Sequence, residues 1–336
     1  MILTRTPFRL QLGGGSTDLP AYYQKHGGFI FAATINLYMY IGVNRPPIDA
    51  LIRVKYSHSE EVSHIMDLKH ELARGALQRT GIGKMIEITS KADIPAGTGL
   101  GSSGSYLVGL LNALHTLKGE NVSRRQLAEE AFEIAIDDLG LPDGKQDFYA
   151  AAFGNFSVFE IEPSGIVHVR NANVSRNTQR EFEERTLLFY TGVRRSSGDI
   201  LREQQQDVAL SDERPLELKH QTKAIGRQIL DRFETGNLND YGDLLHQHWE
   251  TKKQMSSKMS TPLFDEVYDK ARQLGALGGK IQGAGGGGFF MIHCRDGAQD
   301  AVKKLFAHYG MRAVPWRIDS GGTQVILNRS RDLNTI

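Results

Sequence analysis

The spacing of apolar and polar positions changes repeatedly along the chain, and each change predicts an element. Residues 1 to 12 alternate loosely and end in Arg9-Leu-Gln-Leu12, a strand. Gly13-Gly-Gly-Ser-Thr-Asp-Leu-Pro20 then turns into a short helix with proline early. The apolar run from Phe29 to Val43, rich in β-branched and aromatic residues, predicts a strand or a bent pair of strands. Leu51 to Tyr56 reads as a further strand after the turn Asn44-Arg-Pro-Pro47, residues 65 to 80 as helix, and residues 85 to 92 as strand. Leu107, Leu110, Leu111, Leu114 and Leu117 mark one face of a helix that Gly119 stops. Ser123-Arg-Arg-Gln126 is a capping box opening another, with Leu127, Ala131 and Ile134 inward and Gly140-Leu-Pro142 as its end.

Residues 154 to 170 alternate as a hairpin, and the polar stretch 171 to 186 holds the expected boundary between a domain at 1–175 and one at 176–336. Beyond it come a strand at 186–192 and helices near 213–235, 238–256 and 262–274. Strands at 279–282 and 289–294, a helix near 297–309, and strands near 312–318 and 323–327 complete the pattern. Antiparallel strands mixed with helices predict an α+β fold.

Composition narrows the function by exclusion. At 336 residues with 40% hydrophobic and 24% charged content, the chain has the make-up of a globular enzyme. A net charge of +1 gives no reason to expect a nucleic-acid or membrane partner. The single cysteine, Cys294, rules out an intrachain disulfide and fits a cytoplasmic location. The N-terminus lacks the apolar core of a signal peptide, and no stretch is long enough to span a bilayer. The 36 glycines fall in a few clusters, which directs attention to those clusters as sites.

The richest cluster is Ile94-Pro-Ala-Gly-Thr-Gly-Leu-Gly-Ser-Ser-Gly-Ser105, between a predicted strand and a predicted helix. Such a turn gathers backbone N–H groups where the helix dipole favours an anion. Pro95, Gly97, Gly99, Leu100, Gly101, Ser102, Ser103 and Gly104 are therefore candidates for a nucleotide-phosphate cradle, the two hydroxyls being suited to phosphate or Mg²⁺. The alternative is a flexible connection whose serines cap the helix. No Walker pattern is present.

This stretch resembles the second motif of the GHMP small-molecule kinases, P-x-x-x-G-L-G-S-S. Pro7-Phe-Arg-Leu-Gln-Leu-Gly-Gly-Gly-Ser-Thr-Asp18 is similar to the first motif, with Arg9 nine positions before Asp18. Gly278-Gly-Lys-Ile-Gln-Gly-Ala-Gly-Gly-Gly-Gly288 is similar to the third. The resemblance implies a two-domain α+β fold with the active site between the domains, and ATP with Mg²⁺ as cofactors. It implies substrate contacts from Gly14, Gly15, Ser16, Thr17 and Asp18, and from Gly285 and Gly286 of the third motif. Asp147, in Asp143-Gly-Lys-Gln-Asp-Phe-Tyr149, falls at the catalytic aspartate, with Lys145 and Gln146 beside the substrate. Arg9 would hold charge on the transferring phosphoryl group while Asp147 orients or deprotonates the accepting hydroxyl.

Two positions depart from the pattern. Ala135 stands where relatives carry a metal-binding glutamate; Ser103 matches the partner ligand, and Asp138, about 60° round the helix from Ala135, is the expected replacement. The alternative is that Mg²⁺ binds chiefly through ATP. Phe148 stands where a glutamine is expected. Even so, Tyr149-to-Gly154, Leu188-to-Leu201 and His246-to-Lys253 resemble the D-glycero-α-D-manno-heptose 7-phosphate kinases. That implies phosphorylation of an anomeric hydroxyl on a phosphorylated sugar, with Arg194, Arg195, Lys252 and Lys253 as candidate cations for the sugar phosphate. Kinases for fucose or galactose, a mevalonate-branch decarboxylase and a catalytically weak sugar- or nucleotide-binding sensor stay open, as does a homodimer.

Overall fold

A computed structural model describes residues 1–194 and 213–329. Its larger sheet grows from β1 (Ile2–Gly13) and β2 (Gly28–Asn44), antiparallel and joined through the short helix α1 (Pro20–His26). The apolar run over β2 is one strand of 17 residues. Its first part pairs with β6 (Phe156–Ile161) and its last with β5 (Ile86–Ala92), so strands flank it along both edges. β3 (Ile52–Lys55) runs parallel to β5, β4 (Ser59–Val62) closes that edge, and β7 (Val167–Asn171) completes a hairpin with β6. At the opposite edge β12 (Gln324–Asn328) pairs with β1, so the far end of the chain returns to the first sheet.

Helix α3 (Ser102–Lys118) lies on β1 and β2, and α2 (Glu71–Thr80), α4 (Arg124–Phe132) and α5 (Gln146–Phe153) pack around it. Ser105 Oγ donates to Pro7 O at 2.9 Å, pinning the start of α3 to the strand that carries Arg9. The second sheet has the order β11 (Arg312–Ala313), β8 (Thr186–Tyr190), β10 (Phe289–Cys294), β9 (Ala276–Ile281), all antiparallel. Its core is formed with α8 (Tyr241–Lys253), α9 (Pro262–Gln273) and α10 (Gln299–His308), where Phe189 and Phe306 stack 3.9 Å apart. Helix α7 (Glu213–Thr235) packs on β1, β2 and α8, and its Ile229 and Phe233 share one apolar cluster with Phe31 and Phe156.

The architecture is the expected α+β one, with local differences. The polar stretch 171–186 contains a helix, α6 (Arg176–Arg185), capped by Ser175 and burying only Thr178 and Phe182; so narrow an inner face leaves little periodicity to read. Within 65–80, a single 3₁₀ turn precedes α2. Ser123 caps α4 through Gln126 N at 3.1 Å, but the Gln126 side chain turns to Glu130 Oε1 at 2.8 Å, so the box is half formed. Past α4, Leu139 N bonds to Ile134 O, five residues back, and residues 133–138 form a π turn.

Candidate active site

The loop from Gly97 to Gly104 is held open by left-handed backbone at Gly97, Gly99 and Gly101, with φ of 74°, 81° and 80°. The first three amides of α3 lack intrahelical acceptors, and none from Gly97 to Gly104 bonds to another protein group among the described residues. A ring of unsatisfied N–H groups at the positive end of a 17-residue helix is an anion site. Across it lies a cleft enclosing about 900 Å³, open solvent included, walled by residues of β1, α3, the 143–147 loop and the loop after β9.

One side chain ties those walls together. Arg9 directs Nε and Nη2 to Asp147 Oδ1, both at 2.7 Å, and Nη1 to Gly99 O at 2.7 Å. Its backbone N–H bonds to Leu100 O at 3.1 Å. The arginine is 5% exposed and the aspartate 21%, so the pair is shielded while the carboxylate still reaches the cleft. Asp18 works from behind, accepting from Gln146 N at 3.0 Å and Gln146 Nε2 at 3.3 Å. It thereby satisfies the first turn of α5 and fixes the helix that presents Asp147.

The cleft is strongly charged. Burial pushes the Asp18 carboxyl up to about 6, helped by Asp147. Burial likewise pushes Asp143 up to about 7, helped by Asp147 and Asp18. Burial lowers Lys252, on the cleft wall, to about 8, and Lys280, buried off the cleft, well below its usual value. Lys252 Nζ donates to Gly283 O, and Lys280 Nζ donates to Gln11 Oε1 at 2.6 Å. Gln282 Oε1 accepts from Gln11 N at 2.8 Å, locking β9 to β1.

Among the expected site residues, Arg9, Ser16, Asp18, Gly97, Gly99, Gly101, Ser102, Ser103, Gln146, Asp147 and Gly285 line this cleft together. Pro95, Leu100 and Gly104 shape it from behind: Pro95 O accepts from Thr98 Oγ1, Leu100 is buried, and a Cβ on Gly104 would stand 2.8 Å from Asp147 C. Gly14, Gly15 and Thr17 build the preceding turn, where Thr17 Oγ1 bonds to Gly14 O and Phe29 O. Gly286 does not line the cleft, and its N–H bonds to Met259 O at 2.7 Å.

Lys145, Asp138, Arg194 and Lys253 depart from their expected places. Lys145 turns away to Glu129 at 3.2 Å and lies 4.1 Å over the Phe132 ring, because the start of α5 faces α4 there. Asp138 is 51% exposed and bonds to Arg79 at 3.2 Å, outside the cleft. The reason is the π turn: its wider winding advances less than 100° per residue, so the α-helical projection from Ala131 and Ile134 misplaces it. Arg194 is exposed and off the cleft, Lys253 is paired with Glu250 and Asp265, and Arg195 lies outside the described residues. Lys252 is the described member of that group on the cleft wall.

Gln11, Asp143, Lys280 and Gln282 were missed. Two were legible: Gln11 shares a strand face with Arg9, and Gln282 sits two residues from Lys280, a period that puts polar groups together. For Mg²⁺, phosphoryl-transfer sites need one or two carboxylates plus nucleotide phosphates. The hydroxyls of Ser102 and Ser103 have no protein partner among the described residues, and carboxylates line the same cleft, so the donor set fits. No group of three or more His, Cys, Asp or Glu placed to cage an ion occurs among the described residues.

The GHMP kinases N terminal domain matches residues 63–155, and the GHMP kinases C terminal family matches residues 229–310. A D-glycero-alpha-D-manno-heptose 7-phosphate kinase of Campylobacter jejuni is 30% identical over 87% of this chain and 88% of its own length. An L-fucokinase/L-fucose-1-P guanylyltransferase of Bacteroides fragilis is 25% identical over 89% of this chain and 35% of that protein. The crystal structure of a D-glycero-D-manno-heptose 1-phosphate kinase from Bacteroides thetaiotaomicron superposes with a TM-score of 0.80 at 25% identity, covering 98% of this chain and all of that one. A helix-start amide cradle facing an arginine-held aspartate, on a chain related at this level along nearly its whole length, belongs to the GHMP kinase family of phosphotransferases.

Proposed function

We propose that the protein transfers the γ-phosphoryl group of ATP to the anomeric hydroxyl of D-glycero-α-D-manno-heptose 7-phosphate. The product, the 1,7-bisphosphate, would feed nucleotide-activated heptose and surface polysaccharide in the cytoplasm. One observation carries the reading: Asp147 and the unbonded amides of the α3 start face a single cleft and are joined through Arg9. A phosphate tail on those amides puts its terminal group near a carboxylate that can receive a hydroxyl proton.

The sugar oxygen attacks the γ-phosphorus, the bond to the bridging oxygen of ADP breaks, and the hydroxyl proton passes to Asp147. Arg9 keeps that carboxylate in place and retains N–H groups for phosphoryl oxygens. Gln146 Oε1, buried without a hydrogen-bond partner among the described residues, is an acceptor for another sugar hydroxyl. Lys252 gives an anionic substrate a cation with no carboxylate within ion-pair distance among the described residues. Bound Mg²⁺ would supply charge neutralisation at the phosphates, with Ser102 and Ser103 as hydroxyl donors.

The relatives differ in the phosphate their names place on the heptose, at position 7 in one and position 1 in the other. Turnover of ATP with heptose 7-phosphate, heptose 1-phosphate, fucose, galactose and no sugar tests the choice. Heptose 7-phosphate should give a kcat/KM at least tenfold above the others; a preference for any other sugar overturns it, and tight binding without turnover points to a sensor. Asp147→Asn, which keeps an acceptor for Arg9 but not a base, should lower kcat by about 10²–10⁴ while nucleotide affinity holds. An unchanged kcat would remove Asp147 from the chemistry.

A further inference from the structure

The fate of the metal-binding carboxylate is the open chemical question in this cleft. Ala135 is 1% exposed and offers no oxygen, and Asp138 is held outside by Arg79. Within the cleft, Asp18 gives both oxygens to Gln146, and Asp147 gives Oδ1 to Arg9. Asp143 differs from both. It lines the same cleft as Asp147, Ser102 and Ser103. No hydrogen bond or ion pair reaches its carboxylate among the described residues.

A carboxylate in such a place is costly. Its electrostatic neighbours are Asp147 and Asp18, two like charges, with Arg9 already committed to Asp147. A half-buried carboxylate crowded by others needs a cation or a proton. Neither buried lysine meets that need: Lys252, on the cleft wall, donates to Gly283 O, and Lys280, off it, donates to Gln11 Oε1. The neighbouring Gln146 Oε1 is a second buried acceptor without a donor in the same cleft. With Gln146 Oε1 assigned to the sugar, the Asp143 carboxylate and the two serine hydroxyls, all without a protein partner among the described residues, line one cleft as an oxygen donor set, the chemistry a hard divalent ion selects.

We propose that Asp143 supplies the carboxylate for the divalent cation that travels with the nucleotide, in place of the helix position occupied by Ala135. The ligand thus sits on the loop leading into α5, four residues before Asp147, and not on the helical segment that carries Ala135. The proposal rests on the nucleotide-site reading above and is independent of which sugar is bound.

Mn²⁺ binding to the protein–ADP complex, followed by the loss of its free-ion paramagnetic resonance signal, tests this without turnover. Asp143→Asn keeps the size and removes the charge, and should weaken Mn²⁺ at least tenfold while metal-free ADP affinity changes less than twofold. The apo variant should melt at a higher temperature than the parent, since it loses a repelled charge. Mn²⁺ affinity within twofold of the parent overturns the assignment. So does a variant with parental metal binding and a collapsed kcat, which makes Asp143 a proton acceptor. A lower apo melting point overturns it too, since that would mean the carboxylate has a stabilising protein partner. Failure of the sugar assignment would show separately, as absent turnover on heptose 7-phosphate with Mn²⁺ binding intact.

Discussion

Two glycine-rich loops meet over the cleft, residues 97–104 before α3 and residues 283–288 between β9 and β10, and their backbones are used differently. The first leads into a helix and leaves its amides unbonded. The second leads into a strand, and its amides are partly spent: Gly286 N bonds to Met259 O at 2.7 Å and Gly288 N to Val193 O at 2.9 Å. Only the first has a helix dipole behind its free donors, so phosphate recognition falls to it. The amides of Gly286 and Gly288, spent on Met259 O and Val193 O, are not free to bind phosphate or substrate. What the second loop contributes is close approach. A Cβ on Gly99 would stand 2.5 Å from Gln282 O, and a Cβ on Gly288 would stand 2.2 Å from Thr98 O. The loops fit because both lack side chains where they touch.

The largest test of this division is to spoil the contact from either side. Gly99→Val and Gly288→Ala both introduce a Cβ into a carbonyl oxygen, at φ of 81° and 83°. Each should cut kcat/KM by roughly 10³ and raise the KM for ATP, although Gly288 donates nothing to phosphate. The double variant should be little worse than either single one, because the two contacts belong to one loop–loop interface and either clash already forces it apart. Full additivity, or a Gly288→Ala variant with normal ATP KM, would separate the loops.

A smaller effect comes from the acidic wall facing the first loop. Asp18 and Asp143 bind protons more tightly folded than unfolded, with values raised from 3.8 to about 6 and about 7. Their stabilising contribution is therefore complete below the unfolded value and is lost as pH rises through 6 to 7. Denaturant melts of the apo protein should show Asp143→Asn ahead of the parent by on the order of 2 kcal/mol at pH 8, with the gap nearly closed at pH 4. A gap independent of pH would mean the shift is not there.

The smallest effect is a control. Gly119 ends α3 at φ 76°, and a Cβ there would meet nothing within 4 Å, so Gly119→Ala introduces strain but no clash. It should cost about 1 kcal/mol in thermal or denaturant unfolding and leave kcat/KM unchanged, separating glycine needed for its φ from glycine needed for contact.

Much of the fold was written locally. Apolar spacing located β1, β2, β5 and the helices after residue 213, because a half-buried element repeats its inner face at its own period. The cradle was legible because glycines, serines and a helix start are adjacent in the chain, and so was Asp147 through its motif. β4 and α6 were not: one has four residues, the other two inward positions, too few for a period to register.

What the sequence by itself determined is the family, the layered α+β build and the anion-binding helix start, all of them consequences of neighbours along the chain. Only the tertiary structure decided which charges share the cleft. Arg9 and Asp147 are 138 residues apart and form one unit across the α3 start. A single π turn accompanies the placement of Asp138 out at Arg79. The loop that follows brings Asp143 into the same cleft as Asp147, with no hydrogen bond or ion pair to it among the described residues. Charge pairing depends on distances of a few ångströms between segments far apart in the chain, and no local pattern encodes those.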